Sequence, residues 1–161
     1  MESKLKNDYD EFKKTKPFGG IGGPIDSTLK YWEVIIPGPL DSPYEGGKFK
    51  IGIKITDNYP DEPPECKFIT KVFHPNINFK YGNICVNFLK APYSSNPDTE
   101  GKRTWSNKKS ICEVIVGLWG LLLYPVPSDA LNSNARDLYN SDTPRYNELA
   151  KCFTKKFAMN N

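Results

Sequence analysis

The chain has 161 residues, with 22 basic against 19 acidic side chains, a formal net charge of +3, four cysteines and a single histidine. That length predicts one domain, spanning 1–161, with a real core. The mild charge, with basic residues spread along the sequence, does not argue for nucleic acid. No apolar run reaches the roughly 18 residues of a membrane span. No charged-then-apolar leader opens the sequence, so the expected location is a reducing one, cytoplasmic, nuclear or both, with four free thiols.

Residues 3–15 predict a short amphipathic helix, with Ser3 as N-cap and Leu5, Tyr9 and Phe12 at helical spacing. Lys4, Lys6, Lys13 and Lys14 decorate the rest of it, as a solvated face or as a docking surface for an acidic partner. The glycine- and proline-rich residues 17–29 read as a turn region. Two strands follow. Trp32, Val34 and Ile36 alternate with Glu33 and Ile35, and Phe49, Ile51, Ile53 and Ile55 alternate with Lys48, Lys50, Gly52 and Lys54. PGPLDSPYEGG between them is a hairpin connection, and residues 65–69 supply a further short strand. One face buried and one wet is the antiparallel pattern, so a four-stranded meander is expected.

Beyond the cysteine at 85 the character changes. Residues 91–104, APYSSNPDTEGKRT, are polar and turn-rich, a long loop of the kind that often carries function. Ser110 and Glu113 form a capping box ahead of ICEVIVGLWGLLLY, a helix apolar nearly all round and so expected to be buried, which Pro125 and Pro127 stop. A short helix covers 132–139. A last one starts at Thr143-Pro144, with Thr143 as N-cap and an apolar stripe of Tyr146, Leu149, Ala150, Phe153 and Phe157.

Without a CxxC pair or a Cys/His cluster, neither a metal nor a cofactor is expected. Cys66, Cys112 and Cys152 each have a packing explanation as small hydrophobes. Cys85 differs. It follows His74-Pro75-Asn76 and the Gly82-Asn83 turn, between Ile84 and Val86, which suggests a sulfur held at a surface by a fixed loop. Position alone leaves it open between reactive and structural, because thiol reactivity depends on exposure and pKa. A Cys-His hydrolase would need His74 as its base, and His74 sits against a proline in a tight loop, which disfavours that chemistry.

The chain resembles the ubiquitin-conjugating enzymes over nearly its whole length. The N-terminal helix, PFGG, YWEVIIPGPLDSPYEGGKF, YPDEPP, FHPNIN, the GNIC cysteine, Trp105, PVPSDAL and the final KKFAM fall in the family's order. The resemblance implies an α+β fold: an N-terminal helix, a four-stranded antiparallel sheet, and C-terminal helices at one side. It implies that ubiquitin or a ubiquitin-like modifier is accepted from an activating enzyme as a thioester on Cys85. The acyl group then passes to a lysine amine of a protein substrate or of the modifier, with a ubiquitin ligase present. Asn76 matches the residue that supports the oxyanion or the loop around it, a role a fixed side-chain amide suits. Asp129 matches an acidic gate able to position and help deprotonate the attacking lysine. His74 is read as structural, with Pro75 and Asn87 in the supporting loop. On the residues alone, Asn76 is equally a turn former and Asp129 a turn or helix-start residue.

Three features depart from the family pattern. The stretch from Asn76 to Cys85 is one residue longer than the commonest version. Asn87 stands where many members carry Asp, which puts more of the electrostatic work on Asp129. Docking of the activating enzyme and ligase is expected at Lys4, Lys6, Asp61, Ser106 and Asn107, but the ligase positions are unusual: Asp61 replaces an aromatic that one ligase class grips, and Ser106-Asn107 replaces Ser-Pro. The 91–104 insertion resembles that of a long-loop subclass. The rival expectation, a catalytically silent scaffold that binds the modifier, fits variants that lack the cysteine, which this chain keeps.

Overall fold

The strands pair into one antiparallel sheet in the order β1-β2-β3-β4, and the computed structural model describes residues 1–90 and 104–159. These are β1 (Gly22–Pro24), β2 (Tyr31–Pro37), β3 (Lys48–Lys54) and β4 (Glu65–Phe68). Register runs from Tyr31↔Lys54 to Pro37↔Lys48, and β4 joins with Ile51↔Phe68 and Lys54↔Glu65. That register puts Trp32, Val34, Ile36, Phe49, Ile51, Ile53 and Phe68 on one buried face. The opposite face carries Glu33, Lys48, Lys50, Lys54, Glu65 and Lys67, all exposed.

Helix α2 (Ile111–Leu123) contributes Ile111, Val114, Ile115, Leu118 and Leu122 to the same core. Each such aliphatic side chain contributes about 1.5–3 kcal/mol through burial. Its N-terminus is a complete capping box: Glu113 N–H donates to Ser110 Oγ, and Ser110 N–H to Glu113 Oε2. Helix α1 (Glu2–Thr15) adds Leu5 and Phe12, and the Tyr9 and Phe12 rings stand edge-on to Trp32. Helices α3 (Ser133–Ser141) and α4 (Thr143–Ala158) close the chain, with Tyr146 and Ala150 buried.

Several sequence expectations need correction. The first strand lies inside 17–29, read as turn. Gly22-Gly23-Pro24 lacks any strand pattern, yet it suits an edge: Gly22 has φ +94°, and a Cβ there would stand 2.1 Å from the Glu33 carbonyl oxygen. The fourth strand stops at Phe68, and Ile69 is exposed. Helix α1 begins at Glu2 with Met1 as an N-cap that makes no side-chain bond, so Ser3 lies inside the first turn. Asp142, not Thr143, caps α4, its carboxylate accepting from Arg145 N–H. Helix α2 is not buried all round, since Val116 is 49 % exposed. Cys152 is exposed rather than packed. Of the 91–104 loop, all but Thr104 lies outside the described residues.

Candidate active site

Cys85 is presented by a hairpin-like corner beside β4. Asn78 opens its turn: its side-chain oxygen accepts from the Lys80 and Tyr81 amides, and its carbonyl from Gly82 N–H. Gly82 has φ +80°, and a Cβ there would lie 1.9 Å from the Phe68 carbonyl oxygen, so only glycine lets the turn close onto the strand. Gly82 O in turn accepts from Phe68 N–H. On the return leg Ile84 bridges to Ile77, and Cys85 N–H donates to Asn76 O at 2.9 Å.

The other leg is His74-Pro75-Asn76, wholly buried. His74 Nδ1 accepts from Asn76 N–H at 3.0 Å, and Nε2 lies 2.7 Å from the Leu121 carbonyl, which can only accept. Those partners assign the neutral Nε2–H tautomer. Burial agrees, holding the imidazole down to about 4 despite the favourable bond to Leu121. His74 therefore has no free nitrogen for base chemistry. Asn76 is spent in the same way. Its amide donates to Val126 O at 2.7 Å and Asp129 O at 3.2 Å, while its oxygen accepts from Val126 N–H at 2.8 Å. Pro75 O accepts from Leu131 and Asn132 N–H. Together these staple the corner to residues 126–132. Tyr44 donates to Phe73 O at 2.7 Å and meets the hydroxyl of Tyr146, tying the corner to α4 as well.

The stapled segment carries Asp129, in a 3₁₀ turn at Pro127–Asp129. One carboxylate oxygen pairs with Lys90 Nζ at 3.2 Å; the other, Oδ2, is buried without a hydrogen-bond partner among the described residues. Asn87 Oδ1 is likewise buried and, among the described residues, without a partner. Both residues line a pocket of 380 Å³ with Phe88, Lys109, Glu113 and Gly117. Cys85 itself is half-buried. Burial pushes its thiol above the usual range, Lys90 pulls it back and Asp129 adds to the rise. Among the other thiols, burial pushes Cys66 up to about 12 and Cys112 up to about 11. A thiol that holds its proton so tightly is a poor nucleophile. Cys152 is exposed, so exposure does not single out Cys85; its neighbours do.

The structure thus brings Cys85, Asn76, Asp129, His74, Pro75 and Asn87 into one site. Lys4, Lys6, Asp61, Ser106 and Asn107 lie elsewhere. Asp61, Ser106 and Asn107 are exposed and adjacent, Asn107 Nδ2 standing 3.4 Å from Asp61 Oδ1. Trp105 anchors them by donating from Nε1 to Pro60 O. Lys6 is exposed, but Lys4 is not a free docking cation. Its ammonium pairs at 3.0 Å with Asp8, a buried carboxylate that also accepts from Tyr59 OH at 2.6 Å. Sequence reasoning passed over Lys90. It stands five residues after Cys85, and no spacing rule ties a lysine there to Asp129.

The family model for ubiquitin-conjugating enzymes matches residues 4–154. Among solved structures, the chain is similar to a ubiquitin conjugating enzyme E2 domain from Toxoplasma gondii. The two share 30% identity at a TM-score of 0.80, over 98% of this chain and 99% of that one. It is equally similar to a Plasmodium yoelii protein assigned to the ubiquitin conjugating enzymes, again at 30% identity and TM-score 0.80, over 98% and 94%.

Proposed function

Because this chain belongs to the ubiquitin-conjugating enzyme family, a family of transferases, we propose that it accepts ubiquitin from an activating enzyme as a thioester on Cys85 and transfers it to a lysine amine. One observation carries the reading. The half-buried Cys85 is held by its amide to Asn76 O, with the carboxylate of Asp129 and the ammonium of Lys90 as its charged neighbours. A thiol, a nearby carboxylate with a free oxygen and no available histidine suit acyl transfer to an amine better than hydrolysis.

In this mechanism the Cys85 thiolate attacks the carbonyl carbon of the modifier's carboxyl terminus, carried as a thioester on the activating enzyme. The new C–S bond forms as the bond to the activating enzyme's sulfur breaks, and that sulfur leaves as thiolate. Asp129 receives the incoming lysine. Asn76 acts chiefly by holding the 126–132 segment, since both of its N–H groups are already donated to backbone carbonyls. The partners are the activating enzyme, a ligase and the protein substrate. The ligase meets the polar ridge of Asp61, Ser106 and Asn107, with Lys6 as a further docking cation.

The test is incubation with activating enzyme, ATP and a panel of modifiers. An adduct that reducing agent releases is expected with ubiquitin. Cys85→Ala should form none, and Cys85→Ser should form an oxyester that resists the reductant. A reducible adduct on Cys85→Ala would refute the assignment. An adduct with a ubiquitin-like modifier instead of ubiquitin would change the donor but not the chemistry, and no adduct with any modifier would leave the scaffold reading.

A further inference from the structure

Lys90 has so far only been located. Its backbone is fixed on both sides: Lys90 N–H donates to Asn87 O at 2.9 Å, and its carbonyl accepts from Trp105 N–H at 3.1 Å. From that anchored position its ammonium reaches Asp129 Oδ1, with the lysine side chain 29% exposed and the aspartate 13%. An exposed lysine pair would be worth little; this one is partly shielded, and its charge is felt at the Cys85 sulfur. Because Lys90 takes one oxygen of Asp129, the other is oriented. That oxygen, Oδ2, is buried without a partner among the described residues, and Asp129 lines the pocket it shares with Lys109 and Glu113. Leaving a carboxylate oxygen buried and unbonded is costly, so the arrangement favours a donor that arrives from outside.

Resting on the reading that Cys85 carries the thioester, we propose that Lys90 is a positioning residue for transfer. It fixes Asp129 through Oδ1 so that Oδ2 alone receives the incoming amine. Its charge favours the proton-free forms of that amine and of the Cys85 sulfur. In the step itself the amine nitrogen bonds to the thioester carbonyl carbon and the C–S bond breaks. Cys85 leaves as thiolate, and the amine's proton passes by way of Asp129 to solvent. A cation beside the sulfur stabilises the leaving thiolate, and a cation beside an ammonium disfavours its charged form. The other groups do not reproduce this. Asp129 opposes Lys90 at the sulfur, Lys109 and Glu113 carry opposite charges across the pocket, and His74 is buried and neutral.

The experiment compares Lys90→Met, which keeps the stem and removes the charge, with Lys90→Arg. Iodoacetamide modification of Cys85, followed by mass spectrometry of its peptide across pH, needs neither modifier nor activating enzyme. For Lys90→Met the profile should move to higher pH, with modification at pH 7 about three- to tenfold slower, a unit of pH being tenfold. Lys90→Arg should restore it, and Asp129→Asn should move it the other way. In single-turnover discharge to free lysine, loaded Lys90→Met should lag at pH 7 and recover toward pH 9. An unchanged modification profile in a protein that still loads normally would overturn the inference alone. Faster discharge by Lys90→Met would also overturn it, since Lys90 would then be competing with the acceptor for Asp129. A shifted profile with no thioester from any modifier would overturn the functional reading and the transfer role of Lys90 with it.

Discussion

The two walls beside Cys85 are in opposite hydrogen-bonding states. On the His74–Asn76 side every polar group named has its partner: both imidazole nitrogens, the Asn76 amide and oxygen, and the Pro75 carbonyl. On the Asn87 and Asp129 side two buried oxygens have none among the described residues. Satisfied buried groups make a scaffold, and an unsatisfied oxygen on a pocket wall is open to a donor from outside. On the proposed function, the corner holds the geometry and the pocket side is where the exchange takes place.

The sharpest way to break that contrast is Asn76→Ala. It strips the partners from part-buried backbone groups of Val126 and Asp129, so the loss should be about 3 kcal/mol in denaturant unfolding, with loading and transfer falling together. A variant of parental stability that is slow only in transfer would make Asn76 a direct oxyanion donor instead. Asp129→Ala should behave oppositely. Unfolding should change little, while discharge to free lysine at pH 7 slows on the order of 10²-fold. That defect should shrink as pH approaches the lysine value near 10.4; a pH-independent defect would move Asp129 to the scaffold side.

The corner also has its own pH signature. His74 titrates near 6.5 in the unfolded chain and about 4 in the folded one. The unfolded state therefore takes up the proton first. Stability is complete above 6.5 and is lost as pH falls toward about 4. The loss should amount to about 2 kcal/mol between neutrality and pH 5, measured by urea midpoints. His74→Asn should start lower and lack that slope, and since the chain has a single histidine no other imidazole can supply it. The smallest effect belongs to the ridge. Asp61→Ala and Asn107→Ala should each shift stability by under about 0.5 kcal/mol and leave loading intact, while altering the choice of ligase in pull-down.

What the sequence disclosed followed periodicity and caps. The alternation of Phe49, Ile51 and Ile53 and the Ser110–Glu113 box gave β3 and α2 directly, because burial and capping leave residue patterns. Gly22–Pro24 left none, since an edge strand of glycines is defined by its neighbour's carbonyls. At the site, Cys85, Asn76 and Asp129 were legible through a family likeness. That Asn76 had already committed its amide, and that Lys90 sat on Asp129, were not, because both depend on which backbone groups converge from distant segments.

The bond from Trp105 N–H to Lys90 O joins the two ends of the stretch between them. The segment after Cys85 and the approach to helix α2 are thus held together at that bond, which makes this seam a place to exchange a cassette of sequence. Because doubling a flexible closure adds only about 0.6 kcal/mol, cassettes of very different length should be tolerated at this seam. Replacing residues 92–102 by a few Gly and Ser should leave loading of Cys85 untouched, and any change in linkage or acceptor preference then belongs to the cassette. A chimaera carrying another sequence between Lys90 and Trp105 would exchange that preference without retuning the thiol.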